Sequence, residues 1–253
     1  MPYLILCVFI SLQVLATAMP LQAQNGPKFR DSDPVAFSPY TPQRFPFHGV
    51  DVSRFQKDIN WRLVRGAGVK FAFIKATEGG DLLDPNFKEN WRAAGAVGIA
   101  RGAYHFYYFC TDAVRQARWF IKNVPRTKGA LPPVLDMEWN PFSPTCTTRP
   151  PPRTVRAEMK RFLNRVERRY GQRPIIYTTP DFYERNQLVL LKGEEFWLRS
   201  VAKTPEAVYP GQAWRFWQDS STGILPGIAG DVDLNAFGGS SADWAAWLAR
   251  RVR

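Results

Sequence analysis

Residues 70–109 read KFAFIKATEGGDLLDPNFKENWRAAGAVGIARGAYHFYYF. The opening run, Lys70 to Thr77, is short and almost continuously apolar, as a strand buried on both faces requires. Glu78-Gly79-Gly80-Asp81 reads as a turn, too short to cradle a phosphate. Asp84 then stands as a helix cap with Pro85 at the first helical position. Phe87, Trp91 and Ala94 recur on one face of that helix, and Gly95 ends it. Ile99 to Phe109 is a second strand. Strand, helix and strand in this order predict a parallel sheet built from crossover units.

The same rhythm extends in both directions. Phe47 to Ser53 is an earlier strand, followed by a helix near Trp61 to Ala67. Thr111 opens a helix with Val114, Ala117, Phe120, Ile121 and Val124 at helical spacing, and Pro125 stops it. Val134 to Trp139 is the fourth strand. Thr154 starts the longest helix, whose apolar face is Val155, Met159, Phe162, Leu163, Val166 and Tyr170, closed by Gly171. Pro174 to Thr178 is the fifth strand. Beyond it, Phe196 to Val201, Trp214 to Gln218 and Asp231 to Phe237 read as strands whose links are too short for full crossover helices. About eight strands and five helices follow, an α/β barrel of TIM-like type with a degraded last third. A chain of 253 residues accommodates such a barrel as a single domain, or two small domains.

Residues 1–23 carry no charged side chain, and Leu4 to Leu15 is mostly apolar. This reads as a signal peptide, although the usual basic residue before the apolar run is missing; an uncut anchor is the alternative. Export, to the periplasm or beyond the cell, is expected, with no membrane span after cleavage. Residues 24–46 hold five Pro and no helical period, a linker or a wrapped extended arm. The barrel domain is expected over 47–253. Cleavage removes Cys7 and leaves Cys110 and Cys146. Each follows one of two neighbouring strands, so a disulfide between them is expected, with two free thiols as the alternative.

The net charge of +12 favours a polyanionic partner, nucleic acid, anionic lipid or anionic cell wall. No zinc-finger spacing, RNA-binding signature or basic heptad region supports nucleic acid. Much of the charge lies on one helix face, in Arg153, Arg156, Lys160, Arg161, Arg165, Arg168 and Arg169. Nine Trp suit either a large core or the stacking of sugars. There are two His, His48 and His105, and no CxxC pair, so no metal site and no cofactor is expected. GxGxxG, GxxxxGK[ST] and GxSxG are absent, which removes the nucleotide and serine-hydrolase classes.

A parallel barrel carries its active site where its strands end. Polar residues at those ends are Asp51, Ser53, Lys75, Glu78, Tyr104, His105, Tyr107, Asp136, Glu138, Tyr177, Trp217, Gln218, Asp231 and Asp233. Asp136 and Glu138 are the sharpest pair. In a strand, i and i+2 share a face, and two carboxyls there raise each other's proton affinity. One then stays protonated near neutral pH, as a general acid for a glycosidic oxygen must. Asp51 and Asp233 should adjoin across the closure of the barrel. Lys75 and Trp217 stand at strand ends as candidate substrate contacts.

Several stretches resemble glycoside hydrolase family 25: Gly49-Val-Asp-Val-Ser53, Lys70 to Gly79, Gly102-Ala-Tyr-His-Phe106, Leu131 to Glu138, Pro174-Ile-Ile-Tyr-Thr178 and Val232-Asp-Leu-Asn235. The resemblance runs in order over about residues 47–240. It implies a (β/α)5β3 barrel and, as activity, hydrolysis of the β-1,4 bond from N-acetylmuramic acid to N-acetylglucosamine in peptidoglycan. It implies Glu138 as the acid, Asp136 as its partner, Asp51 and Asp233 as the other acidic residues of the groove, and Tyr104 and Tyr177 as lining groups. Two features depart from the family pattern. Trp197-Leu198-Arg199-Ser200 has Arg where similar proteins usually have Ala, and the Trp139 to Pro152 loop holds five Pro and Cys146. The chain is expected to act as a monomer. The alternatives are a module that binds cell-wall glycan without cutting it, and a hydrolase of another N-acetylated polymer such as chitin.

Overall fold

The computed structural model describes residues 28–141 and 143–251. The expected signal peptide lies outside the described residues. Eight strands form the barrel: β1 (His48–Val52), β2 (Phe71–Glu78), β3 (Ala100–Phe106), β4 (Val134–Met137), β5 (Ile175–Thr178), β6 (Phe196–Arg199), β7 (Phe216–Ile224) and β8 (Val232–Phe237). Strands β1 to β7 run parallel, each paired with the next. Strand β8 runs antiparallel to both β7 and β1 and closes the ring. Only seven residues separate β7 from β8, too few for a crossover, so the chain must turn back.

Among the described residues seven α-helices accompany the strands: α1 (Trp61–Gly66), α2 (Phe87–Ala96), α3 (Ala113–Asn123), α4 (Pro152–Tyr170), α5 (Pro180–Arg185), α6 (Pro205–Val208) and α7 (Ser241–Arg251). The short α5 and α6 are the degraded last third. Three helix starts differ from the sequence reading. Helix α2 begins at Phe87, because the Asp84 carboxylate accepts from the backbone N–H of Asn86 and of Arg54 and so shapes the preceding turn. Helix α3 is capped by Asp112, not Thr111; its Oδ1 accepts from Val114 and Arg115 N–H at 3.0 Å each. Helix α4 starts at Pro152, whose fixed φ suits a first turn.

Strand alternation divides the core in two. Ala72, Ile74, Leu135, Met137, Ile176 and Leu198 face outward and pack with the apolar faces of the helices. Phe71, Phe73, Tyr104, Val134, Tyr177, Trp197, Phe216 and Phe237 face inward and fill the barrel. Gly49 is needed for that filling, because a Cβ there would lie 2.4 Å from the Phe71 ring. Helix α7, which the sequence reading missed, plugs the bottom. Its Trp244 packs on Phe47, Phe71 and Phe237, and Trp247 lies against Phe216. Trp247 and Arg251 both bond to Glu195, which fixes this helix beneath the ring.

The described part of the arm, residues 28–46, is integral to the barrel rather than a linker. Arg30–Asp31 pairs antiparallel with the far half of β7, and Phe37 and Tyr40 lie edge-on against Trp217. The arm thus covers β7 on the side where no long helix does.

Candidate active site

Inward-facing positions change from apolar to polar toward the upper end of the barrel. On β1 the step is from Gly49 to Asp51, on β2 from Phe73 to Lys75, and on β4 from Val134 to Asp136, with Glu138 just past the strand. On β6 it is from Trp197 to Arg199, and on β7 from Phe216 to Gln218. Strand β8 enters at this same end because it is antiparallel, so Asp233 comes near its start and Phe237 lies at the bottom. These residues line a cavity of about 270 Å³, and a larger groove of about 990 Å³ adjoins it past Glu138, Lys75 and Phe106.

Hydrogen bonds fix the wall beside Asp51. Gln218 Nε2 and Asn235 Nδ2 both donate to Asp51 Oδ2, at 3.0 and 2.8 Å. The Tyr177 hydroxyl donates to Gln218 Oε1 at 2.8 Å, and Trp197 Nε1 donates to Asn235 Oδ1 at 2.7 Å. Both amides are therefore held from behind by aromatic donors. On the adjoining strand β2, Lys75 bridges Glu78 and lies 4.8 Å from the centre of the Phe106 ring. Tyr108 donates to the same Glu78 carboxylate.

Four carboxyls share this space, and burial raises the proton affinity of each. Glu138 is pushed up to about 7, chiefly by burial and further by Asp51, against the opposing pull of Arg199 and Lys75. Asp51 rises to about 6, since burial outweighs its two amide donors. Asp136 is held well above the carboxylate range by burial and by Glu138, and Asp233 by burial and by Asp51. Asp136 Oδ1 is buried and has no hydrogen-bond partner among the described residues. The groove thus holds protonated carboxyls near neutral pH and one acceptor oxygen with nothing to accept from.

The structure brings together Asp51, Asp136, Glu138, Asp233, Lys75, Tyr104 and Tyr177. It does not bring Trp217. That residue is fully buried on the outer face of β7, donates from Nε1 to Ser200 O, and packs under the arm. Its expected role as a substrate contact is corrected by the period of the strand: with Phe216 and Gln218 inside, Trp217 must be outside. His105 and Tyr107 also face away from the groove. His105 sits between Thr77 and Gln116 in the outer core, and burial lowers its pKa to about 4. Two cavity residues, Arg199 and Gln218, and the fully buried Asn235 that holds Asp51 had no assigned role in the sequence reading. Each lies two positions from an inward residue, Trp197, Phe216 or Asp233, so the alternation itself was the missing signal. At the rim, Cys110 and Cys146 are joined with Cα atoms 5.7 Å apart, tying the loop after Glu138 to the loop after β3.

The sequence profile described as glycosyl hydrolases family 25 matches residues 50–228. An uncharacterized protein, YegX, of Escherichia coli K12 is 36% identical over 219 residues, covering 84% of this chain and 77% of that protein. Lysozyme M1 of Streptomyces globisporus is 36% identical over 206 residues, covering 77% of this chain and 68% of the lysozyme. A solved family 25 glycosyl hydrolase from Bacillus anthracis superposes with a TM-score of 0.74 at 35% identity, covering 80% of this chain and 94% of that one.

Proposed function

The chain belongs to glycosyl hydrolases family 25, and from that premise we propose that it is a muramidase of bacterial cell wall. It hydrolyses the β-1,4 bond between N-acetylmuramic acid and N-acetylglucosamine in peptidoglycan. The observation that carries this reading is Glu138, a carboxyl held near neutrality in its proton affinity at the wall of an open groove, with Asp136 beside it. An acid of that strength keeps its proton at neutral pH and still gives it to a departing sugar oxygen.

In this reading Glu138 protonates the glycosidic oxygen. Asp136 supports the other side of the reaction. Its unmatched Oδ1 is an acceptor for the N–H of the sugar's 2-acetamido group, and that bond would favour the ionised carboxylate once substrate is seated. Asp51 and Asp233 hold sugar hydroxyls or orient water. Tyr104, Tyr177 and Lys75 shape and charge the walls. The chain acts as a monomer outside the cytoplasm, a reading that the apolar, uncharged residues 1–23 support. No helix among the described residues is long and apolar enough to cross a membrane.

Product analysis on purified peptidoglycan tests the assignment. New reducing ends on muramic acid are expected. New ends on glucosamine, or equal cleavage of chitin oligomers, would move the activity to another N-acetylated polymer. Tight wall binding without any new ends would leave only a binding module.

A further inference from the structure

Arg199 is the inward residue at the end of β6, level with Gln218 on β7 and one inward step above Trp197, which pairs with Tyr177 on β5. It lines the same cavity as Asp51, Asp136, Glu138 and Asp233, and its charge is felt by three of those carboxyls. Yet it forms no ion pair within 4.0 Å with any described residue, and its guanidinium appears in no hydrogen bond. Lys75, the other cation that lines this cavity among the described residues, is already bridged to Glu78. Among the described residues, none of the carboxyls that surround Arg199 comes within ion-pair distance of its guanidinium. A half-buried guanidinium with five donors and no acceptor is a site for an oxyanion, and its planar fork matches a carboxylate.

We infer that Arg199 recognises a free carboxylate on the sugar chain, the lactyl carboxylate of a muramic acid residue that carries no peptide. This rests on the muramidase reading and adds to it the preferred form of the polymer. The lactyl group hangs from the ring itself, so its carboxylate reaches a residue set beside the catalytic carboxyls. Carboxylates of a stem peptide lie further from the ring, separated from it by the lactyl group and at least one amino acid. Once a peptide is attached, the lactyl carboxylate becomes a neutral amide and offers the guanidinium no charge. Chitin has no such group at all. The enzyme therefore prefers glycan strands from which peptides have been removed, and a reaction that cleaves the muramoyl–peptide amide must supply them.

The test uses a defined tetrasaccharide of alternating N-acetylglucosamine and N-acetylmuramic acid, with its lactyl carboxylates free or converted to methylamides. The methylamide removes charge with little added bulk. Binding is measured by calorimetry on Glu138→Gln, with and without Arg199→Ala or Arg199→Lys, and cleavage is measured on the active chain with the same Arg199 substitutions. The free acid should bind at least about tenfold more tightly than the methylamide, a ratio that falls close to one with Arg199→Ala and is partly kept by Arg199→Lys. In cleavage the same loss should appear mainly in KM. An equal ratio with and without Arg199, or tighter binding of the methylamide, overturns the inference. Failure of the active chain to cut either sugar counts against the muramidase reading, while the binding ratio still decides the role of Arg199. Melting of each variant, followed by circular dichroism, identifies any that fails to fold; the Arg199→Lys comparison then carries the decision.

Discussion

Asp51 and Asp233 stand directly opposite each other on the antiparallel pair β1 and β8. Cross-strand partners of like charge repel, and here both are buried. The pair escapes that cost by holding a proton, with a hydrogen bond between the two carboxyls. The two amides on Asp51 Oδ2 favour ionisation of Asp51, so Asp233 is the member kept protonated. The charge of Asp51 in turn raises Glu138. The proton inventory of the groove is thus set partly at the seam where the barrel closes.

Asp51→Asn should therefore change the pH profile as well as the rate. Activity is expected to fall on the alkaline side as Glu138 loses its proton near about 7. Removing the Asp51 charge moves that limb to lower pH, by up to about one unit. Loss of a charge facing the reaction centre should also lower kcat by about 10²-fold. An alkaline limb that stays in place, measured with a soluble oligosaccharide, would separate Asp51 from Glu138.

Glu138→Gln should lower turnover by about 10³-fold or more, since it removes the transferable proton with little change in volume. It should also change stability in a defined window. Folding raises this carboxyl from its ordinary 4.5 to about 7, so the native state holds a proton that the unfolded chain has released. Stability is then lost as pH rises through that interval. Gln removes the loss and should be worth about 3 kcal/mol at pH 8, several °C in Tm, and nothing at pH 4. Near-normal turnover in a folded variant would remove Glu138 from the role of acid. Equal Tm differences at both pH values would contradict its raised proton affinity.

The parallel strands were legible because burial on both faces leaves continuous apolar runs such as Lys70 to Thr77, and Asp136 and Glu138 were legible because charge interrupts such a run at i and i+2. Helix α7 was not. Its Trp244 and Trp247 plug the barrel bottom from a segment that follows the last strand, and nothing local distinguishes a plug from a surface helix. The arm was ambiguous because Pro-rich extended chain looks alike whether it is free or laid on a sheet. The direction of β8 was implicit in its short link to β7, and only that direction puts Asp233 in the groove. Trp217 was misplaced because a strand end was read without its inward and outward alternation.

Trp217 now yields a contrasting expectation. Buried beneath Phe37 and Tyr40, it is a clasp between arm and barrel. Trp217→Ala should cost about 3–5 kcal/mol in stability while the folded fraction keeps its KM. A raised KM with unchanged melting would return Trp217 to the substrate.

Helix α4 presents Arg153, Lys160, Arg161, Arg168 and Arg169 to solvent. If this face contributes to wall binding, affinity for insoluble peptidoglycan should fall as salt rises, because such charges are screened over about 8 Å at physiological ionic strength. Lys160→Glu with Arg168→Glu should weaken binding at low salt and flatten its salt dependence. Affinity that is flat across salt for the unaltered chain would mean that the basic surface serves another purpose.

The last expectation concerns the bridge from Cys110 to Cys146, which closes a segment of 36 residues. In the chain-entropy account such a loop contributes roughly 3 to 4 kcal/mol by restricting the unfolded chain. The bridge has a second consequence, because it anchors the Pro-rich loop that begins just after Glu138. That loop carries Trp139, which packs on Phe109 and Phe182, and Arg149, which lies over the Trp139 ring. Without the bridge the loop should hold one wall of the groove less firmly, so Cys146→Ser should raise KM as well as lower Tm. Cys110→Ser should do the same, since either change leaves the other half of the bridge unpaired. Intact mass with and without reductant decides whether the bridge forms in the folded protein: two free thiols there would remove it. A bridge that forms, yet whose loss lowers Tm without touching KM, would confine its role to stability and leave the groove wall to the packing of Trp139 alone.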